Sequence, residues 1–251
     1  MARIELQHVS VEFPLYEFSA RSLKKQFLRL TTGGQVNQDA NKHVVVNALN
    51  NVSLVFEHGD RVGLIGHNGA GKSTLLRLLA GIYEPTRGEI NIDGRVCPML
   101  DLMLGIEADL TGYENIVMRG IILGLTRKEI LARVKEISDF TGLGDYLAMP
   151  IRTYSSGMMV RLAFAISASI VPDILIIDEI FGTADAAFME QARQKMVTLL
   201  DQSSVVVMAT HAEDLIKEFC NKCVLMEAGQ IKFIGNTTEA LELYYKTLHV
   251  K

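Results

Sequence analysis

Three short stretches carry residue types that handle phosphate. Residues Gly66–Ser73 read GHNGAGKS and match G-x-x-x-x-G-K-[ST]. The glycines let the backbone fold tightly, so that amides point at phosphate oxygens, and a following helix adds its partial positive charge. Gly66, His67, Asn68, Gly69, Ala70, Gly71, Lys72, Ser73 and Thr74 make up the candidate nucleotide-binding segment. Within it Lys72 should reach the β- and γ-phosphates and Ser73 should ligate Mg²⁺. A plain glycine-rich turn is the bland alternative; a buried strand before the loop and a helix after it argue against that.

About a hundred residues further on, Ile174–Glu179 reads ILIIDE, an apolar strand ending in two carboxylates. Asp178 at the strand end can hold the metal ion, and Glu179 can act as general base on an attacking water. His211 follows the apolar run Val205–Ala209. Ligands of parallel sheets gather at the carboxyl ends of strands, which gives His211 a γ-phosphate contact to make. Tyr154–Met158, YSSGM, stands just before a helix. Ser155, Ser156 and Gly157 offer hydroxyls, amides and a helix N-terminus, either as an anion site or as an ordinary N-cap.

Composition limits what else the chain can be. With 49% hydrophobic and 22% charged residues over 251 positions, a packed core is expected. A net charge of −4 argues against a nucleic-acid partner. No signal peptide is visible, and the most apolar stretch, Leu162–Ile177, is interrupted by Pro172 and Asp173. The expected location is therefore the cytoplasm, with any membrane role reached through a partner. Cys97, Cys220 and Cys223 form no disulfide framework; Cys220 and Cys223 are half of a zinc site at most and read as reduced structural thiols.

The elements that must position these residues alternate. Strand patterns run over Ile4–Phe13, His43–Val46, Val52–Phe56, Arg61–Ile65, Asp173–Ile177 and Val205–Ala209. Helix patterns cover Ser19–Leu30, Ser73–Ala80, Ser156–Ser169, Ala186–Leu200 and Thr238–Leu248, and Thr126–Glu129 is a capping box opening another. Residues Thr31–Asn41 read as a loop, and Glu89–Ile92 with Asp93-Gly94 reads as a hairpin. The alternation implies an α/β fold with parallel strands, and the absence of an internal repeat implies one nucleotide cassette.

Taken together and in this order, the motifs resemble those of the nucleotide-binding domains of ABC transporters, over essentially the whole chain. Gly66–Ser73 looks like Walker A, Ile174–Asp178 like Walker B, Glu179 like the catalytic glutamate, Tyr154–Met158 like the signature, Asp185 like the D-loop aspartate and His211 like the switch histidine. The resemblance implies a P-loop NTPase cassette with a RecA-like core, an antiparallel β subdomain and a helical subdomain near residues 100–170. It also implies ATP and Mg²⁺ as cofactors, and a homodimer in which each ATP lies between one Walker A and the partner's signature. Phe13, with Tyr16 as alternate, is the candidate for stacking the adenine; a core role for Phe13 is the other reading. The sequence departs from the family at the signature, where Ser156 and Met158 replace Gly and Gln. It departs again at the Q-loop glutamine, for which Asp101 is the nearest polar substitute and a candidate metal ligand.

YSSGM, Leu110–Asn115 (LTGYEN) and Ala184–Phe188 (ADAAF) are similar to segments of bacterial surface-polysaccharide exporters of the O-antigen, capsule and teichoic-acid type. That similarity implies a peripheral subunit on the cytoplasmic face of the inner membrane. A separate transmembrane permease dimer would carry the lipid-linked glycan. An insertion near residues 19–42, with the amphipathic Ser19–Leu30 helix, fits the group; its basic face either meets acidic lipid headgroups or is a solvated surface. No C-terminal carbohydrate-binding domain is expected. Other readings are a cassette for another cargo and a non-transport regulatory ATPase.

Overall fold

Alternation sets the first element. Ile4, Leu6, Val9 and Val11 sit among polar neighbours, and in the computed structural model they are buried along β1, Arg3–Leu15. Structure is described for residues 2–15, 36–38, 44–178, 186–210 and 212–248. Tyr16, the Ser19–Leu30 helix, Glu179, Asp185 and His211 lie outside these. The chain divides into two compact units: Met1–Arg95 with Ile176–Asp178 and Ser204–Lys251, and Val96–Leu175 with Glu179–Ser203.

The first unit holds an antiparallel sheet in the order β2-β3-β1-β5, with β2 Val36–Gln38, β3 Val44–Phe56 and β5 Arg87–Asp93. Three expectations need correction here. The strand patterns at His43–Val46 and Val52–Phe56 belong to one strand, β3. Asn47, Asn50 and Asn51, around the buried Ala48 and Leu49, hide the continuity, because β1 and β3 shift register against each other between Leu6 and Glu12. At that irregularity His8 and Asn51 both adopt φ of 52°, and His8 Nδ1 lies 2.9 Å from Asn51 Oδ1. The expected loop at Thr31–Asn41 contains β2, which pairs Val36 with Val46. The expected hairpin at Asp93-Gly94 is absent. β5 pairs with β1 instead, Arg3 opposite Asp93 and Leu6 opposite Ile90. A turn dipeptide marks only a local reversal, whereas register and shared burial choose a strand's partner.

The same unit carries strands in the order β10-β9-β4-β8-β7. These are β4 Arg61–Ile65, β7 Ile174–Asp178 (through its last three residues), β8 Val205–Ala209, β9 Lys222–Glu227 and β10 Gln230–Gly235. β4 is parallel to β8 and β9, while β9 and β10 are antiparallel. All of β8 is buried, as continuous apolar strands are when both faces of a sheet are covered. Helix α1, Lys72–Leu79, buries four leucines. Cys220 and Cys223 are free, buried thiols lining Gly63 of β4, where an added Cβ would sit 3.3 and 3.1 Å from their sulfurs. Burial first, then the neighbouring Cys223, pushes the Cys220 thiol up to about 12.

The second unit contains β6 Val96–Met99, α2 Gly112–Ile122, α3 Arg127–Thr141, α4 Ser156–Ala168 and α5 Ala186–Gln202. Ile116, Ile130, Ile137, Leu147, Leu162 and Ile166 centre its core. The Thr126 capping box forms: Thr126 Oγ1 accepts from the Glu129 amide at 3.3 Å, and the Thr126 amide donates to Glu129 Oε2 at 2.7 Å. Helix α2 was not expected, yet Thr111 and Glu114 cap it at the same spacing. Phe140, Phe164 and Phe188 join α3, α4 and α5 through ring centroids 5.8 to 6.1 Å apart, which gives Phe188 of the ADAAF segment a packing role.

Candidate nucleotide-binding site

The loop between β4 and α1 is shaped by what stands behind it. Gly66 has φ of 148°, and a Cβ there would lie 2.3 Å from the Met226 carbonyl oxygen. Gly71, the N-cap of α1, has φ of 107°, and its Cβ would lie 2.8 Å from the Ala48 carbonyl oxygen. Neither position can hold a side chain without moving backbone. Gly69 faces open space. The Ala70 amide donates to the His67 carbonyl at 3.1 Å and closes the turn. Lys72 folds back over the loop, its Nζ donating to the carbonyls of Gly66 at 2.5 Å and His67 at 3.2 Å. His67 Nδ1 lies 2.7 Å from the Asn68 carbonyl oxygen, so that ring is turned onto its own loop. Ser73 is exposed in the first turn of α1, with Thr74 half-buried beside it. That turn contains no acidic residue, so the positive end of the helix is left for an anion.

Sequence reasoning missed the brace beneath the loop. Between β9 and β10 the chain reverses through Ala228 and Gly229, with φ of 49° and 75°. The Gly229 amide donates to the Ala70 carbonyl at 2.9 Å, and the Asn50 amide donates to the Gly229 carbonyl at 2.8 Å. The available sequence signal was Gly229 between two short apolar runs, Val224–Met226 and Ile231–Ile234.

Asp178 and Phe13 belong to the same unit as the loop. Asp178 is half-buried at the point where the buried run of β7 ends. Phe13 is half-buried near the end of β1, and its ring meets Tyr83 edge-on at 5.1 Å. In the second unit Ser155 is the N-cap of α4, and its Oγ accepts the Met158 amide at 3.3 Å. Ser156 is exposed. A Cβ on Gly157 would meet only Ser155 Oγ, at 4.0 Å, so nothing in this unit requires a glycine there. Asp101 lies in the exposed turn after β6, and its Oδ1 accepts the Met103 amide at 2.9 Å.

A family model described as ABC transporter matches residues 49–182. The chain belongs to the ABC transporter family. It is one of that family's ATPase cassettes. It is 44% identical over 231 residues to the O-antigen export system ATP-binding protein RfbE of Yersinia enterocolitica, covering 92% of this chain and 97% of that protein. It is 36% identical over 242 residues to the teichoic acids export ATP-binding protein TagH of Bacillus anthracis, covering 96% of this chain and 42% of that protein. Its fold matches an ATP-binding cassette solved as a dimer in a post-hydrolysis state with ADP and Pi. The TM-score is 0.67 at 19% identity, over 93% of this chain and 98% of that one.

In cassette terms the departure at Met158 has a packing reason: its side chain lies against the core of the second unit. Among the described residues no group of three or more His, Cys, Asp or Glu could hold a metal. Mg²⁺ is bound by one or two protein oxygens together with substrate phosphates rather than by a protein cage. A hydroxyl at Ser73 and a carboxylate at Asp178 are oxygen donors of the kind such an ion takes.

Proposed function

We propose that this cassette is the ATP-hydrolysing subunit of an exporter that moves lipid-linked polysaccharide, of the O-antigen class, across the inner membrane. The observation that carries the reading is the 44% identity to an O-antigen export protein across 97% of that protein's length. Among the described residues no helix is long and apolar enough to cross a membrane. Passage of the glycan is assigned to a separate permease dimer, with the cassette peripheral on its cytoplasmic side.

In this reading the loop amides of Gly66–Gly71 and the Lys72 ammonium hold the phosphates. Ser73 and Asp178 would hold Mg²⁺, with Asp101 a further candidate ligand, and the ion when bound would supply charge neutralisation for the phosphates. Glu179 takes the proton from the attacking water, and His211 orients the γ-phosphate. Phe13, or Tyr16, stacks the adenine. Ser155, Ser156 and Gly157 complete the site of a second copy of the chain, and Asp185 contributes across the same dimer. The open space before Gly157 supports this, because a bare backbone on a helix N-terminus admits close approach by phosphate.

The test is co-purification with a candidate permease, followed by ATPase assays with and without lipid-linked glycan. Stimulation is expected. Failure both to co-purify and to respond would overturn the export reading. Glu179→Gln should trap an ATP-bound dimer on size-exclusion chromatography; turnover at the normal rate would remove Glu179 as the base. Export of a teichoic-acid polymer is the second reading, from the 36% match to a protein of which this chain spans only 42%. The polymer that stimulates turnover decides between them.

A further inference from the structure

Two polar side chains are buried one helical turn apart on α2, Asn115 and Arg119, at 0% and 3% exposure. They are satisfied very differently. Asn115 Oδ1 accepts the Glu107 amide at 2.8 Å. Its Nδ2 donates to the carbonyls of Glu107 at 2.9 Å, Thr111 at 2.9 Å and Leu110 at 3.3 Å. Both ends of that amide are hydrogen-bonded, so it is a fixed staple for residues 107–111. Arg119 is left incomplete. Its Nη1 donates to the Leu102 carbonyl and its Nη2 to Ser167 Oγ at 3.1 Å, while Nε has no partner. Both accepting oxygens are neutral. Burial lowers the guanidinium to about 10, and the carboxylate acting against that fall is Asp101. Arg119 therefore stays charged at neutral pH, buried and without a directly bonded counter-charge.

A half-satisfied buried cation is costly, and a network of this kind favours any rearrangement that completes it. The means lies next to the contact already made. Asp101 immediately precedes Leu102, and its carboxylate is engaged with Met103 in its own exposed turn. Ser167 lies near the far end of α4, whose first turn presents Ser155–Gly157. A 13-residue helix is a rigid strut of about 20 Å.

We propose that Arg119 is a positioning residue that latches the 101–104 turn to α4, and that this latch has a second state in which Asp101 leaves the Met103 amide and pairs with the guanidinium at Nε. One contact is exchanged for another and the turn moves relative to α4, a discrete two-state element of the kind that couples sites. No bond is made or broken covalently. The kinetic readout rests on the ATPase reading; the exchange readout below does not.

The test is a double-mutant cycle on the full chain with Asp101→Asn and Arg119→Met, read in two ways. In nucleotide-free thermal unfolding the coupling between the two changes should be small, limited to the through-space attraction of the Asp101 carboxylate for the guanidinium, because the two are not hydrogen-bonded in this state. In ATPase turnover each single variant should lose about tenfold in kcat, and the double variant should be no slower than the worse single one, a coupling of about tenfold. KM for ATP should stay within about twofold, a change of roughly 0.4 kcal/mol. Arg119→Lys should recover part of the rate. Factors that multiply in kcat, as expected if Asp101 acts only as a metal ligand, would overturn the proposal. Equal coupling in both readouts would do so too. If Arg119→Met does not fold, Arg119→Gln, which removes the charge but keeps a polar end, takes its place in the cycle. Independently, the Met103 amide should lose hydrogen-exchange protection when a non-hydrolysable ATP analogue binds, and should not respond in the Arg119 variant. With binding of the analogue confirmed by calorimetry, an unchanged wild-type Met103 amide refutes the latch even if the chain hydrolyses no ATP; failure of the analogue to bind would count separately against the functional reading.

Discussion

Gly229→Ala should damage nucleotide binding from a position 160 residues beyond the phosphate loop. The new Cβ would stand 2.7 Å from the Ala48 carbonyl oxygen and 3.1 Å from its carbon, where ordinary contact begins at 3.4 Å. Gly229 also has φ of 75°, a conformation costing an L-residue about 1 kcal/mol. Forcing backbone apart by several tenths of an ångström in a packed region adds about 1–3 kcal/mol. The total is about 2–4 kcal/mol of stability. Gly142→Ala is the matched control: its φ is 63°, but nothing lies within 4 Å of its Cβ, so only the conformational part, about 1 kcal/mol, should be lost. Urea unfolding of the two variants isolates the steric part. The displacement should reach the loop, because the Gly229 amide holds the Ala70 carbonyl and Gly229 Cα lies 3.3 Å from the site of a Gly71 Cβ. Affinity for an ATP analogue, measured by calorimetry, should fall about tenfold, equivalent to about 1.4 kcal/mol. If Gly229→Ala is no less stable than Gly142→Ala and binds nucleotide like the wild type, the brace has no role in shaping the loop.

Gly157→Ala should separate folding from turnover. With open space around its Cβ, the isolated subunit should gain about 0.5–1 kcal/mol from helix propensity, seen as a higher Tm, while ATPase turnover falls at least about tenfold. A variant that keeps full turnover would place the second subunit's phosphates elsewhere. The Cys220 thiol, raised by burial, stays protonated in the folded chain while the unfolded chain ionises from about pH 9. Stability should therefore be full below that pH and fall between about 9 and 12, by up to about 1.4 kcal/mol per unit. Urea midpoints across alkaline pH should show a slope that Cys220→Ala reduces. Thr111→Ala and Thr126→Ala each remove one side of a capping box and should each lower stability by about 1 kcal/mol in thermal unfolding.

Elements with strong local periodicity were legible in the chain. β4, β8 and the bounds of α1 and α4 follow from apolar runs and caps, and the Thr126 box opens α3 as expected. α2 carries the same capping signal at Thr111 and Glu114, but the apolar pattern behind it is interrupted by Arg119 and Gly120 and does not announce a helix. The continuous β3 was not legible: its middle is polar, and a bulged pairing with β1 makes it one strand. The partner of β5 was hidden for a related reason, because Asp93-Gly94 describes a turn and not a sheet.

The same division holds at the candidate site. The residue types of the loop, Asp178 and Ser155–Gly157 are legible in the sequence as a local pattern: glycines and a lysine between a strand and a helix, a carboxylate at a strand end, a serine at a helix start. What makes Gly66 and Gly71 obligatory is not local. It is the carbonyls of Met226 and Ala48, brought against the loop by the β9–β10 turn and by β3. The burial of Arg119 between Leu102 and Ser167 is of the same kind. Spacing along a chain encodes what neighbours in sequence can do, whereas backing and burial come from strands and helices far apart in sequence, and only tertiary packing decides them.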